Sequence, residues 1–363
     1  MQRRPEILPG AAALFQPPEP TLTHLDLLRV PPARRDAIEA LRAPLLDARR
    51  IALSTHMNAD GDGCGSESAL AQLLANRGAA VKVVNPTPWP SAFAFLLRES
   101  FREESAKGAA ALRGIDAFVV LDISDVRRLG NLAETVRELK VPRLVIDHHI
   151  PSDEPPGETI VSDTAACATG ELVYDVATVL GLEITPEVAE SIYVAILTDT
   201  GSFRFGNTSP RCLAIAADLL SRGVNPELMY QRVYASGTEA RVRILAEALS
   251  SLGVDARVGL AWISLDAGAM ERHGGTAEDL DGAVEHARSI AGTKMALFFR
   301  DLGHGKVKVS FRSIAGTDVN AFARQFGGGG HARASGAMIP GALDEVREKV
   351  VAAAREYLSA PTH

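Results

Sequence analysis

Short apolar runs alternate with amphipathic stretches through the first two-thirds of the chain. IALSTH (51–56), VKVVN (81–85), AFVVLDIS (117–124) and RLVIDHH (143–149) have strand length and almost continuous apolarity, the pattern of strands covered on both faces. Between them, SESALAQLLANRG (66–78) reads as a helix stopped by Gly78, and PRCLAIAADLLSRG (210–223) as one stopped by Gly223. In residues 33–49 the spacing of Ile38, Leu41, Leu45 and Leu46 predicts a helix, with a break or kink expected at Pro44. SIYVAILTDT (191–200) fits a strand ending in polar residues, while 187–198 fits a buried helix equally well. The alternation predicts an α/β fold with a doubly wound, mainly parallel sheet. Ligands in such sheets bind beyond the carboxyl ends of the strands.

After Gly253 the pattern changes. VGLAWISLD, KMALFFRDL and KVKVSFRS are strand-like, and TDVNAFARQFGG is helical. Residues 254–358 form a second, smaller α/β domain of a size that folds alone. Residues 223–253 read as a helical connector interrupted at Gly237, and 33–222 as the first domain. Residues 1–32 are proline-rich without a period and read as an extended or partly ordered arm.

Composition narrows the class. The 363 residues are 46% hydrophobic and 23% charged, ordinary for a soluble protein, and no run approaches the roughly 18 apolar residues of a membrane span. Prolines and Glu6 interrupt the apolar core that a secretory signal needs, so a cytoplasmic location is expected. Three cysteines without a CxxC pair argue against a disulfide framework or a thiolate zinc site. A net charge of −7 excludes a generally basic nucleic-acid coat but allows a local anion site.

Four segments concentrate acids and imidazoles: His56-Met-Asn58-Ala-Asp60-Gly-Asp62, Asp122, Asp147-His148-His149, and Asp199. Alone, each has an ordinary reading as a turn, a helix cap or a surface pair. Together at one rim of a sheet they repel one another unless cations intervene. The donors are oxygen and imidazole, which favours manganese or magnesium over structural zinc. There are too many for one ion with open positions. Two ions about 3.5–4 Å apart sharing a carboxylate would fit, and such pairs serve phosphoester hydrolysis. The glycines around Asp60 and Asp62 are expected to permit tight backbone turns. Cys64 reads as a small residue at a helix start. Phe203, Phe205 and Phe326 read as core rather than as base-stacking residues.

These motifs, in this order, resemble the DHH phosphoesterase superfamily, named for the Asp-His-His found here at 147–149. His56 to Ser66 resembles its first motif, with Ala59 where proline is usual, and Asp122 resembles its second. TDTGSFRFGNTSP (198–210) resembles the fourth, and FRSIAGTDVNAFARQFGGGGHARASG (311–336) the DHH-associated domain. The layout is similar to the oligoribonuclease/pAp phosphatase (nanoRNase) subgroup. The resemblance implies that His56, Asp60 and Asp122 hold one metal. It implies that Asp62, Asp122, His148 and Asp199 hold the second, and that His149 contacts the scissile phosphate. Asn58 touches substrate or orients a ligand on this reading. Two Mn2+ ions are the implied cofactor, with Mg2+ or Co2+ as alternatives.

Residues 294–333 carry seven Lys or Arg against two acids. With Gly328, Gly329 and Gly330 offering backbone N–H groups, His331, Arg312, Arg333 and Ser335 are expected to bind the base or terminal phosphate of a short substrate. The expected partners are short single-stranded RNA, dinucleotides and 3′-phosphoadenosine 5′-phosphate (pAp), with no membrane and with a homodimer compatible with the family. The expected activity is hydrolysis of short RNA to nucleoside 5′-monophosphates. Rivals are a phosphodiesterase for cyclic or linear dinucleotides and a non-catalytic nucleotide-binding regulator.

Overall fold

A computed structural model describes residues 24–359 except 236, 281 and 315; most of the proline-rich arm (1–23) lies outside the described residues. The chain divides into two units, 1–236 and 237–363. The division falls inside the expected connector, so its two helices belong to different units.

In the first unit, six strands form one sheet: β1 (Arg50–Ser54), β2 (Ala80–Val83), β3 (Arg102–Glu103), β4 (Ala117–Leu121), β5 (Arg143–Asp147) and β6 (Thr159–Ser162). Every pairing is parallel, in the order β3-β2-β1-β4-β5-β6. The four apolar runs of the sequence are the four strands β1, β2, β4 and β5. Strand order reverses between β1 and β4, which makes the crevice beyond their carboxyl ends the place where this topology binds ligands.

The helices of this unit are α1 (His24–Leu28), α2 (Pro32–Leu46), α3 (Gly61–Ala75), α4 (Ala133–Glu138), α5 (Thr169–Leu180), α6 (Pro186–Asp199), α7 (Pro210–Ser221) and α8 (Pro226–Tyr234). Two expectations change. Helix α2 runs through Pro44 without ending, because the proline falls in its last turn, just before the Asp47 N–H closes on the Ala43 carbonyl. The described end of the arm is ordered, since α1 forms and α2 begins at Pro32. The ambiguous 187–198 segment is the buried helix α6. Asp199 therefore sits at a helix C-terminus rather than a strand end.

Helix α3 packs tightly on α6, and glycines permit it. A Cβ on Gly65 would lie 2.6 Å from the Ser191 carbonyl oxygen and 2.9 Å from Ala195 Cβ; one on Gly61 would lie 2.4 Å from Thr198. Neither glycine has a positive φ. Their role is close helix approach, not the tight turn the sequence suggested.

The second unit holds α9 (Glu239–Ser250), β7 (Gly253–Asp255), β8 (Leu260–Leu265), α10 (Ala269–His273), α11 (Ala283–Arg288), β9 (Met295–Asp301), β10 (Lys306–Ser313), α12 (Val319–Arg324), β11 (Gly329–His331), β12 (Ala334–Pro340) and α13 (Leu343–Ser359). Its sheet has the order β11-β12-β10-β9-β8-β7 and is antiparallel except between β8 and β9. Period-two alternation in β10 buries Val307, Val309 and Phe311 against α12 and α13, with Phe322 and Val350. Among the described residues, no helix is long and apolar enough to cross a membrane.

Helix propensity alone would make Gly65→Ala stabilising by about 1 kcal/mol. Overpacking against a backbone carbonyl costs about 1–3 kcal/mol. Because three of the atoms met at under 3.0 Å include two of the α6 backbone, the clash is expected to win. Thermal denaturation of Gly65→Ala should show Tm falling by a few degrees; a rise would mean that α3 and α6 separate cheaply.

Candidate metal centre

Four loops of the first unit meet at the crevice. His56 follows β1, Asp122 follows β4, His148 and His149 follow β5, and Asp199 ends α6. Asp60 caps the N-terminus of α3, accepting the N–H groups of Asp62 and Gly63 at 3.1 Å each. Asp62 lies in the first turn of α3, buried. Its Oδ2 accepts Thr169 N–H at 2.7 Å, and its Oδ1 accepts Gly170 N–H at 3.0 Å and the Ser66 hydroxyl at 3.1 Å. Helix N-termini favour such carboxylates.

The imidazoles are set by their other nitrogens. His56 Nδ1 lies 2.9 Å from the Met57 carbonyl oxygen and His148 Nδ1 lies 3.3 Å from that of Ala166. A carbonyl only accepts, so each Nδ1 carries the hydrogen and each Nε2 offers a lone pair. His56 Nε2 is buried without a hydrogen-bond partner. It stands 3.4 Å from Asp122 Oδ2 and 3.6 Å from Asp60 Oδ1. His148 Nε2 stands 3.5 Å from Asp62 Oδ2, 3.6 Å from Asp122 Oδ1 and 3.8 Å from Asp199 Oδ2. Asp122 thus turns one oxygen to each imidazole. Its backbone is left-handed (φ 63°), as is that of Asn58 (φ 56°). Such strain in a non-glycine residue clusters at functional sites.

Lone pairs facing carboxylates repel unless a cation lies between them. Burial pushes Asp62 well above the usual carboxylate range, and the charges of Asp122, Asp199 and Asp60 push it further. Burial also raises Asp199, with Asp122 and Asp60 adding to it against the pull of His148. Burial works against a charged His56, but Asp122 and Asp60 lift it to about 10. The site without cations gathers protons to offset its charge. Donor atoms of His56, Asp60 and Asp122 lie within 4.8 Å of one another, as do those of Asp62, His148 and Asp199, and of Asp122, His148 and His149. This donor set fits divalent ions.

His149 Nδ1 lies 2.8 Å from Asp147 Oδ1, a contact that holds the ring and raises its affinity for a proton. Asn58 lies at the exposed edge, its N–H donated to Thr87 Oγ1 at 2.8 Å. Sequence reasoning passed over several participants. Asn207 Nδ2 donates to Asp199 Oδ2 (3.1 Å) and to the Cys167 carbonyl (2.8 Å). Its only signal was membership of the TDTGSFRFGNTSP stretch. The Thr169 hydroxyl donates to Asp122 Oδ1 at 2.9 Å, and nothing in ATGE announces that role. Phe205, expected in the core, is 57% exposed, its ring lying over Gly201. Phe203 and Phe326 are partly buried against the two cores. Cys64 is buried in α3.

Apart from Asn58 and His149, the expected substrate-binding residues lie in the second unit, on or beside neighbouring strands. Arg312 on β10 pairs in register with Ala334 on β12, and Ser335 pairs with Gly330 on β11. Arg312 Nε is 3.4 Å from Glu285 Oε1. The Gly328 N–H donates to the Ala323 carbonyl, and the Gly330 N–H to Asn320 Oδ1, both at 3.0 Å. These two N–H groups are therefore engaged within the unit. A Cβ on Gly328 would lie 2.2 Å from the Gly336 carbonyl oxygen, so close strand packing requires that glycine. Gly329 pairs with Gly336 in the ladder, and Arg333 is exposed. The side chain of His331 lies outside the described residues.

Comparison with known proteins matches this geometry. The model of the DHH family, N-terminal domain, matches residues 50–196, and that of the DHHA1 domain matches 255–360. The bifunctional oligoribonuclease and PAP phosphatase NrnA of Thermus thermophilus is 34% identical, over 85% of this chain and 90% of its own. The chain belongs to the DHH family. The Bacillus subtilis protein of the same name is 27% identical over 80% of this chain and 89% of its own. Among solved structures, an exopolyphosphatase-related protein from Bacteroides fragilis superposes with a TM-score of 0.80 at 26% identity, covering 90% of this chain and 98% of that one. RecJ of Thermus thermophilus in complex with Mn2+ shares the fold at TM-score 0.52 and 16% identity, covering 94% of this chain and 56% of its own. Membership in this DHH family makes the chain a metal-dependent phosphoesterase.

Glu67, on α3 behind the centre, gives a separate test of its electrostatics. It is fully buried; Oε2 accepts Asn85 Nδ2 at 2.8 Å, and Oε1 has no partner. Burial pushes it from 4.5 to about 8. Between those values the folded chain holds a proton that the unfolded chain has lost, so stability falls as pH rises through that window. Glu67→Gln removes the titration. Its Tm should match the wild type near pH 4.5 and exceed it increasingly up to pH 8; a difference independent of pH would refute the assignment.

Proposed function

We propose that this chain is a two-metal phosphodiesterase that hydrolyses short oligoribonucleotides to nucleoside 5′-monophosphates, with pAp as a second substrate. The observation that carries the reading is Asp122. Its two carboxylate oxygens each face a different imidazole Nε2, at 3.4 and 3.6 Å, and both imidazoles are fixed by backbone carbonyls on their far side. One carboxylate shared between two donor sets is the arrangement that binds a pair of ions. The names of the relatives supply the substrate class.

In this reading His56, Asp60 and Asp122 hold one ion, and Asp62, Asp122, His148 and Asp199 the other. Divalent ions bound there lower the pKa of water and offset charge on a phosphoryl group. Mn2+ is the proposed ion. The remaining groups bind and orient. Asp147 holds the Nδ1 hydrogen of His149, which keeps the ring in one orientation and favours its cationic form. A ring so held can donate Nε2–H to a phosphate oxygen. Asn58, at the rim, is proposed to touch substrate. In the second unit Arg312, Arg333, Ser335, His331 and the glycines Gly328, Gly329 and Gly330 are proposed to take the base or terminal phosphate. Since two of the glycine N–H groups are engaged, the arginine side chains carry most of that role. A homodimer and a cytoplasmic location complete the proposal.

The test is chromatography of products from RNAs of two to about twenty nucleotides, with pAp and cyclic di-AMP in parallel. With Mn2+, mononucleotides should appear fastest from the shortest RNAs; a chelator should stop the reaction and added Mn2+ restore it. Preference for the cyclic compound would transfer the enzyme to second-messenger turnover. Asp122→Asn should lower kcat by about 1000-fold or more, since metal stabilisation of transition-state charge is worth several kcal/mol at 1.36 kcal/mol per tenfold. Full turnover by Asp122→Asn would overturn the metal assignment.

A further inference from the structure

Among the described residues, the most deeply buried arginine or lysine is Arg34, in the first turn of α2 and before the first residue matched by the DHH family model. Its Nη1 donates to Glu171 Oε1 at 2.7 Å and Asp175 Oδ2 at 2.6 Å, and Nε and Nη2 donate to Asp163 Oδ2 at 3.0 and 2.6 Å. Arg211 of α7 joins the same carboxylates, bonding Glu171 Oε1 at 3.1 Å and also Asp175, and reaches the carbonyls of Leu27 (2.6 Å) and Arg29 (2.8 Å). Two guanidinium groups thus close on three acids, two of which belong to α5.

Glu171 connects this cluster to the metal centre. Its second oxygen accepts the Cys167 N–H at 3.0 Å, which ties it to the turn entering α5. Residues 166–170 of that turn support four of the six proposed metal ligands. The Ala166 carbonyl takes His148 Nδ1, the N–H groups of Thr169 and Gly170 hold both oxygens of Asp62, and the Thr169 hydroxyl holds Asp122. The Cys167 carbonyl holds the Asn207 amide that bonds Asp199. The turn therefore bonds three of the ligands directly and the fourth through Asn207, and its other side is fastened by Glu171.

We propose that Arg34 is a positioning residue for the metal centre: through Glu171 it fixes the 166–170 turn, and through that turn the orientation of Asp62, Asp122, His148 and Asp199. The N-terminal helix α2 is then part of the metal-binding apparatus and not only a cover for the sheet. Lysine at 34 would keep the charge but lose the planar fork that reaches three acids at once. Loss of such outer contacts typically weakens metal affinity or activity by about 10–100-fold.

The inference rests on the two-metal reading, so its main readout is Mn2+ binding and not turnover. Arg34→Lys and Glu171→Gln would be made in the full chain, with Arg42→Lys, an exposed arginine on the same helix paired with Glu39, as the control. Mn2+ binding would be titrated by electron paramagnetic resonance, alongside Tm without metal and kcat and KM on a dinucleotide. Arg34→Lys and Glu171→Gln should each bind Mn2+ about 10–100-fold more weakly, with kcat reduced and KM little changed, while Arg42→Lys matches the wild type. Mn2+ affinity within twofold of wild type in whichever of the two variants folds, whatever its Tm, would overturn the proposal and leave Arg34 a purely structural residue. If the wild type binds Mn2+ but does not cleave RNA, the substrate reading fails while the titration still decides the role of Arg34.

Discussion

Repulsion among carboxylates at the head of one crevice is the constraint on which the rest of the first unit depends. Asp60, Asp62, Asp122 and Asp199 converge with two imidazoles whose lone pairs face them. At contact distance in a partly buried site, like charges oppose one another by several kcal/mol at an effective dielectric near 20. The fold holds each acid by donors from behind, and the donor set facing the crevice fits divalent cations that would offset the charge in front. The sheet order supplies the place: the reversal of strand order between β1 and β4 leaves a gap at which His56 and Asp122 emerge.

Holding the ligands demands close packing. Gly61 and Gly65 let α3 sit on α6, so that Asp62 from one helix and Asp199 from the other reach the same point. Gly170 does the same for α5, where a Cβ would lie 2.5 Å from Ala195 Cβ. A metal centre built from a helix start, two strand ends and a helix end needs all three helices within backbone contact. Side chains at these positions would push the ligands apart by more than metal coordination tolerates.

The second unit solves a different problem. Its glycine segment forms an edge strand whose close packing on β12 excludes a Cβ at Gly328, and whose Gly330 N–H is already taken by Asn320. The glycines there bring backbone to backbone within the sheet. The arginines on or beside the same strands keep the positive character that the sequence showed, on a unit whose basic residues interrupt an otherwise acidic chain.

The linear pattern was enough to place the strands β1, β2, β4 and β5, because apolar runs too short for a helix and bounded by polar residues fit strands covered on both sides. It also placed His56, Asp122 and His148 at strand ends, since in a parallel sheet the residue after the last apolar position must emerge at the carboxyl rim. It left 187–198 open, because a segment apolar all round carries no period that separates a buried helix from a buried strand; packing against α3 made it a helix and moved Asp199 to a helix end. It misread the glycines of α3 and the burial of Phe205, because both depend on what lies opposite in space. The supporting contacts of Thr169, Gly170 and Asn207, and the reach of Arg34 to acids 129 to 141 residues away, join positions that no local pattern relates. Tertiary structure alone decided them, because a backbone N–H or a guanidinium gains its partner only when folding brings distant segments within hydrogen-bond distance.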